Sequence, residues 1–388
     1  MKWLTAEQAL KSLGVRPQTL YANVSRGRIR AKPDPADVRR SLYNGNDIAR
    51  LAERSAGRRP AETVAAQAIG WGEPVLASGI STIANGRLWY RGRDAIALAE
   101  SATLEEVAGH LWQTSPVRFH AGAKAAAKTT MSGTPIGRLL AAAAERAALD
   151  PPSRGRAPAV LKAEAETLFD TLLSALLGTV TGRLDLPVHT RLATAWRKPR
   201  AEDILRRTLV LLADHELNAS TFAVRVAAST GASLSACLLA GLATLSGPLH
   251  GGASRALSSL FAAARRAGAD AAVRDWIARG EPLPAFGHPL YPQGDPRAVA
   301  LMRHCKLSGM VQAVRTAAED LTGEPPNVDF ALAAVADSYA LPRHAPFVMF
   351  ALSRSVGWIA HALEQTAIGQ LIRPRARYVG PALAKESP

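Results

Sequence analysis

The sequence predicts a mostly all-α protein of two to three parts, on three observations. Ala and Leu dominate while aromatics make up only 5% of the 388 residues, and both residues lose little side-chain freedom in a helix. From about residue 118 onward, long apolar-faced segments follow one another, separated by Gly/Pro loops. Strand-like alternation is confined to a short stretch before residue 92.

The first element is a small module over residues 1–55. LTAEQALKSLGV reads as an amphipathic helix with Ala6, Ala9, Leu10 and Leu13 on one face, ended by Gly14. RPQTLYANVSRGRI reads as a second helix with Pro17 near its start. SLYNGNDIARLAER reads as a third, capped by Asn46 or Asp47. Helix, Gly-containing turn, helix is the helix-turn-helix pattern. Residues 1–60 carry 13 Lys and Arg against 5 Asp and Glu, which is +8 of the chain's +15. Such a module favours a polyanion. Its second helix would offer Arg16, Gln18, Thr19, Asn23 and Arg26 to DNA, with Arg28 and Arg30 beyond on the wing side.

Residues 56–74 read as a linker, and 382–388 as a C-terminal tail. The main domain, 75–381, opens with a hairpin turning at Asn85-Gly86. Helices are expected at 94–100, at 104–112 with Thr103 as cap, and then at 136–149, 159–182, 202–213, 219–245, 253–267, 270–279, 296–320, 328–340 and 345–370. The uncharged run 226–249 is long enough to span a bilayer. Its Ser, Thr and Gly content favours a buried soluble helix, so no membrane is expected. Two cysteines, Cys237 and Cys305, offer neither a disulfide framework nor metal-ligand spacing. With no apolar leader at the start, the expected setting is the cytoplasm.

Four positions hold His or Asp beside residues that fix the backbone. They are His215 in DHELNAST, His250 in GPLHGGAS, His288 in AFGHPLYPQGDPR and Asp329 in PPNVDFALA. Each alone is an ordinary loop residue or helix end. With YRGRD before them and SRSVGWIAHALEQ and LIRPRARYVGP after them, these segments resemble those of citrate synthases and stand in that family's order. The first module resembles the MerR-like helix-turn-helix family.

The resemblance implies a citrate synthase-like fold, with a large helical domain and a small one over about 253–345, closing on the site. It implies condensation of acetyl-CoA with oxaloacetate to citrate and CoA, with no permanently bound cofactor and no metal. Asp329 matches the base, His250 the donor to the thioester oxygen, and His288 the acid that polarises the ketone. His215, Arg297, Arg354 and Arg373 match oxaloacetate-binding positions, and in the family the last reaches over from the partner of a homodimer. Planar guanidinium forks suit the two carboxylates of oxaloacetate. Pro289 and Pro292 stand where many relatives carry basic residues, which bears on CoA affinity. Two alternatives remain: 2-methylcitrate synthase acting on propionyl-CoA, and a DNA-binding regulator sensing oxaloacetate or CoA esters.

Overall fold

The structure, a computed structural model, describes residues 3–13, 20, 23–24, 29–35, 37–49, 76–115, 117–119, 133–177, 185–376 and 378–381. The chain divides into two compact units, Met1–Ala77 with Arg375–Pro388, and Ser78–Pro374.

In the first unit, β1 (Trp3–Leu4) leads into α1 (Ala6–Leu13). Ala9 and Leu13 are buried and Ala6 and Leu10 pack beside them, as the amphipathic pattern requires. The expected third helix is in part a strand. β2 (Ala31–Asp34) and β1 both pair antiparallel with β3 (Asp37–Asn44), in the order β1-β3-β2. Helix begins only at residue 45. Its cap is Asn44, whose Oδ1 accepts the N–H groups of Asn46 and Asp47, rather than Asn46 or Asp47 themselves. Arg30, expected on the wing side, is tied to Asp47 by a 2.8 Å ion pair. Asn23 accepts the Ile29 N–H through its carbonyl. The other candidate DNA contacts, Arg16, Gln18, Thr19, Arg26 and Arg28, lie outside the described residues, as does the linker.

The second unit opens with the expected hairpin. β4 (Ser81–Ala84) and β5 (Arg87–Tyr90) pair across Asn85 and Gly86, whose φ angles of 53° and 71° are those of a two-residue hairpin turn with both central residues left-handed. A two-residue strand, β6 (Arg93–Asp94), pairs back on β5; two residues carry no period, so alternation does not reveal it. Helices follow. Asp94 caps α2 (Ala95–Ser101), and Thr103 with Glu106 forms a reciprocal capping box on α3 (Leu104–Trp112). Then come α4 (Pro135–Leu149), α5 (Pro158–Leu177), α6 (Val188–Ala195) and α7 (Glu202–Leu211).

Two expected long helices are each broken. The stretch 219–245 divides into α8 (Ala219–Ser229) and α9 (Leu234–Leu245). Gly231 turns the chain at φ 82°, a left-handed conformation that favours glycine, and Ser233 starts α9 by accepting the Ala236 N–H. The uncharged run is therefore not one rod, and among the described residues no helix is long and apolar enough to cross a membrane. After α10 (Pro248–Gly251), α11 (Ala253–Ala267) and α12 (Ala269–Ala278), the stretch 296–320 divides into α13 (Pro296–Met302) and α14 (Gly309–Thr322), the latter capped by Ser308. The last helices are α15 (Val328–Ser338) and α16 (Ala345–Ile368).

This unit has two cores. The larger gathers residues from Ile80 to Ala362 around α16, which is buried along most of its length, the polar Arg354 and His361 included. The smaller gathers Leu257, Leu260, Val273, Val311, Val314 and others. Helix α15 serves both, sending Val328, Ala331, Leu332 and Val335 into the larger and Phe330 and Ala334 into the smaller. Burying each of Val328, Leu332, Val335 and Phe330 contributes on the order of 1.5–3 kcal/mol. The first turn of α15, which carries Asp329, is thus fixed from both sides.

Candidate active site

His215 follows α7 in a segment gripped through its neighbour. Asp214 is fully buried, with His361 Nε2 at 3.2 Å and the Ser81 hydroxyl on the same oxygen. The His215 ring meets Tyr291 Oη at 3.1 Å and stands edge-on to His288, with centroids 5.3 Å apart. Burial, reinforced by Arg297 and Arg354, pushes its pKa well down.

His250 sits in α10, a single turn made possible by two glycines. A Cβ on Gly251 would strike the Leu245 carbonyl, and one on Gly252 the Pro248 carbonyl. Gly251 therefore lets the turn pack tightly against the end of α9, and Gly252 lets the chain close back on the turn itself. His250 Nε2 lies 2.7 Å from Ser220 Oγ. Burial, then the charge of Arg354, lowers the imidazole pKa to about 4.

The His288 loop is fastened to the start of α15. Gly287 N–H donates to Pro325 O at 2.8 Å, Asn327 N–H to Ala285 O at 3.0 Å, and the Asn327 side chain to Gly287 O at 2.9 Å. His288 Nδ1 accepts the Leu290 N–H at 3.1 Å. With Nδ1 an acceptor, the neutral ring carries its proton on Nε2 and so presents a donor. Burial and Arg297, against Asp295, bring its pKa to about 4.

Asp329 follows the cap residue Asn327, whose side chain accepts the Asp329 N–H at 3.0 Å. Burial lifts its carboxyl pKa to about 6, with Asp295 adding and Arg297 and Arg354 opposing. Arg297 is buried and held by Asp295. Arg354 is buried in mid-helix, its Nε donating to Leu212 O at 3.0 Å, with its guanidinium carbon 4.8 Å from the Phe350 ring centroid. The fields of these two arginines reach His215 and Asp329 together, while that of Arg297 reaches His288 and that of Arg354 reaches His250. Arg373 lies apart, exposed in the irregular segment after α16.

Sequence reasoning missed four neighbours. Tyr291, between His215 and His288, reads as loop filler between prolines. Asp295 was legible as a cap before Pro296, but its grip on Arg297 was not. Ser220 and Trp358, which meet at 3.2 Å, gave no polar signal inside apolar helices. Among the described residues no group of three or more His, Cys, Asp and Glu is placed to hold a metal.

Neutral imidazoles, a carboxyl raised toward neutrality and two buried guanidiniums, set on a helical fold, are groups suited to acid–base chemistry on an anion. The chain belongs to the citrate synthase family, whose C-terminal domain profile matches residues 69–375. It is 39% identical over 210 residues to the putative citrate synthase 2 of Mycobacterium tuberculosis, covering 50% of this chain and 56% of that protein. It is 31% identical over 239 residues to the 2-methylcitrate synthase of Shewanella oneidensis, covering 59% and 60%. These stretches span a little over half the length of the curated relatives. The citrate synthase of Thermoplasma acidophilum, solved as a ternary complex with carboxymethyl coenzyme A and oxaloacetate, superposes with a TM-score of 0.65 at 26% identity, over 81% of this chain and 96% of that one.

Proposed function

We propose that the chain condenses acetyl-CoA with oxaloacetate to give citrate and CoA. The observation that carries this is Asp329, a carboxyl raised to about 6 on a helix start tied to the donor loop of His288. Binding an anion needs no such base; removing a carbon-bound proton does. Asp329 takes a methyl proton from the thioester while His250 donates to its oxygen, giving the enol. The enol carbon attacks the oxaloacetate ketone, and His288 supplies the proton to the forming alkoxide. Water then cleaves the thioester. Arg297, Arg354 and His215 receive the oxaloacetate carboxylates and carbonyl, with Arg373 contributed by the partner of a homodimer.

The test is thiol release by the purified full chain with oxaloacetate and either acetyl-CoA or propionyl-CoA, beside Asp329→Ala. Release with acetyl-CoA that the variant loses is the expected result. A higher kcat/KM with propionyl-CoA favours 2-methylcitrate synthesis, the activity named for the Shewanella relative, since one methyl group is worth only about 1–3 kcal/mol. No release with either ester overturns the reading.

A second reading concerns residues 1–55. The +8 charge of the first 60 residues supports a contact with duplex DNA, alongside catalysis or as a regulator sensing the same ligands. Fluorescence anisotropy of a labelled duplex with the full chain tests it. Binding that weakens steeply with salt supports DNA contact, and none at 50 mM salt ends it.

A further inference from the structure

The hydrogen bonds behind His250 specify where its proton sits. Ser220 Oγ has three partners: His250 Nε2 at 2.7 Å, Asn218 Oδ1 at 2.7 Å and the indole N–H of Trp358 at 3.2 Å. A hydroxyl has one proton and two lone pairs. The Asn218 atom is the amide oxygen, because it also accepts the Thr221 N–H at 3.0 Å as the cap of α8; it has no proton to give. Trp358 only donates and takes one lone pair. The Ser220 proton therefore goes to Asn218, and the remaining lone pair faces His250. Giving that proton to His250 instead would leave two oxygens 2.7 Å apart with no hydrogen between them.

We infer that in this state neutral His250 carries its proton on Nε2, against Ser220, and presents a bare Nδ1 to the site, with Asn218 the positioning residue that sets this tautomer. The inference rests on the proposed role of His250 as donor to the thioester oxygen, since it makes that role conditional. His250 is the reverse of His288, whose Nδ1 is already occupied by the Leu290 N–H and whose donor is preset. To become a donor, His250 must lose its Nε2 proton and gain one at Nδ1, exchanged through solvent with no net change in charge. The Ser220 hydroxyl must at the same time turn from Asn218 to Nε2. The enol-stabilising donor is then absent until ligands drive that turn. An acyl-CoA entering the site meets a lone pair where the reaction needs an N–H.

Long-range 1H–15N correlation spectra of the full chain, labelled with 15N-histidine and recorded at pH 8, read the tautomer directly. The His250 signals are those absent from His250→Gln. The ligand-free protein is expected to show Nε2 protonated and Nδ1 bare. Asn218→Ala, whose folding circular dichroism checks, should invert this, and Asn218→Asp, which keeps the cap and the acceptor, should not. Oxaloacetate with a non-reactive thioether analogue of acetyl-CoA should invert the wild type. A protonated Nδ1 in the ligand-free wild type overturns the inference while leaving the proposed reaction standing. A filled site that keeps Nε2 protonated overturns the switch by removing the donor role itself, and the proposed reaction falls with it. If Asn218→Ala does not fold, the wild-type spectra still decide.

Discussion

Asp295 closes both carboxylate oxygens on Arg297, Oδ1 on Nε at 3.0 Å and Oδ2 on Nη2 at 2.8 Å. Its Oδ2 also accepts the Val328 N–H at 3.0 Å, one residue before Asp329. One buried carboxylate thus sets both the guanidinium and the start of the helix that carries the proposed base. Asp295→Asn leaves Arg297 buried without its counter-charge, and breaking such a pair from one side costs about 3–5 kcal/mol. Urea unfolding should show a loss of that order. An unchanged midpoint would mean that solvent already satisfies the guanidinium.

Asp329→Asn should trade activity for stability. As a lost general base it lowers kcat by about 10²–10⁴. The folded carboxyl titrates at about 6, above its ordinary value of about 3.9. The folded state therefore holds the proton more tightly, and its penalty appears as pH rises through that window, complete above about 6. The amide removes this penalty, on the order of 1–3 kcal/mol at pH 7.5. The variant's Tm should exceed that of the wild type at pH 7.5 and match it near pH 4. Equal Tm values at pH 7.5 would show that Asp329 is not strained by burial.

The acid limb of the pH–rate profile follows from the same three groups. His250 and His288, both held near 4, stay neutral above pH 5. Asp329 alone then governs kcat/KM between pH 5 and 7, which should rise through a single ionisation near 6. A steeper limb, reporting two protons, would mean that an imidazole titrates there as well. His288→Ala should lower kcat/KM by about 10²–10⁴ across the whole range without moving the limb.

Gly357 in α16 packs against the segment that carries His215. A Cβ there would fall on the Ala213 carbonyl and the Asp214 carboxylate, where Gly357 N–H donates to Ala213 O at 3.0 Å. Gly357→Ala should therefore displace Asp214 and His215 together, destabilising by about 1–3 kcal/mol and raising KM for oxaloacetate. A drop in Tm with KM unchanged would show that the strain is absorbed elsewhere.

By itself the sequence determined the helical class, the hairpin at Asn85-Gly86 and most helix boundaries, and it singled out His215, His250, His288 and Asp329 as candidates. These are local matters: caps, Gly and Pro punctuation and apolar periodicity act within a few residues. The tertiary structure decided what no short-range signal encodes. The stretch 219–245 reads as one apolar-faced helix, yet it breaks at Gly231, whose carbonyl accepts the Ser153 N–H from a distant segment. Residues 37–44 became a strand because two other strands were there to pair with it. The partners of His215 and His250, namely Tyr291 and Ser220, come from distant segments and are selected by packing. The pKa values of the site groups depend on burial and on charges brought from distant segments. Those fields exist only once α15 and α16 and the loops before them share one interior.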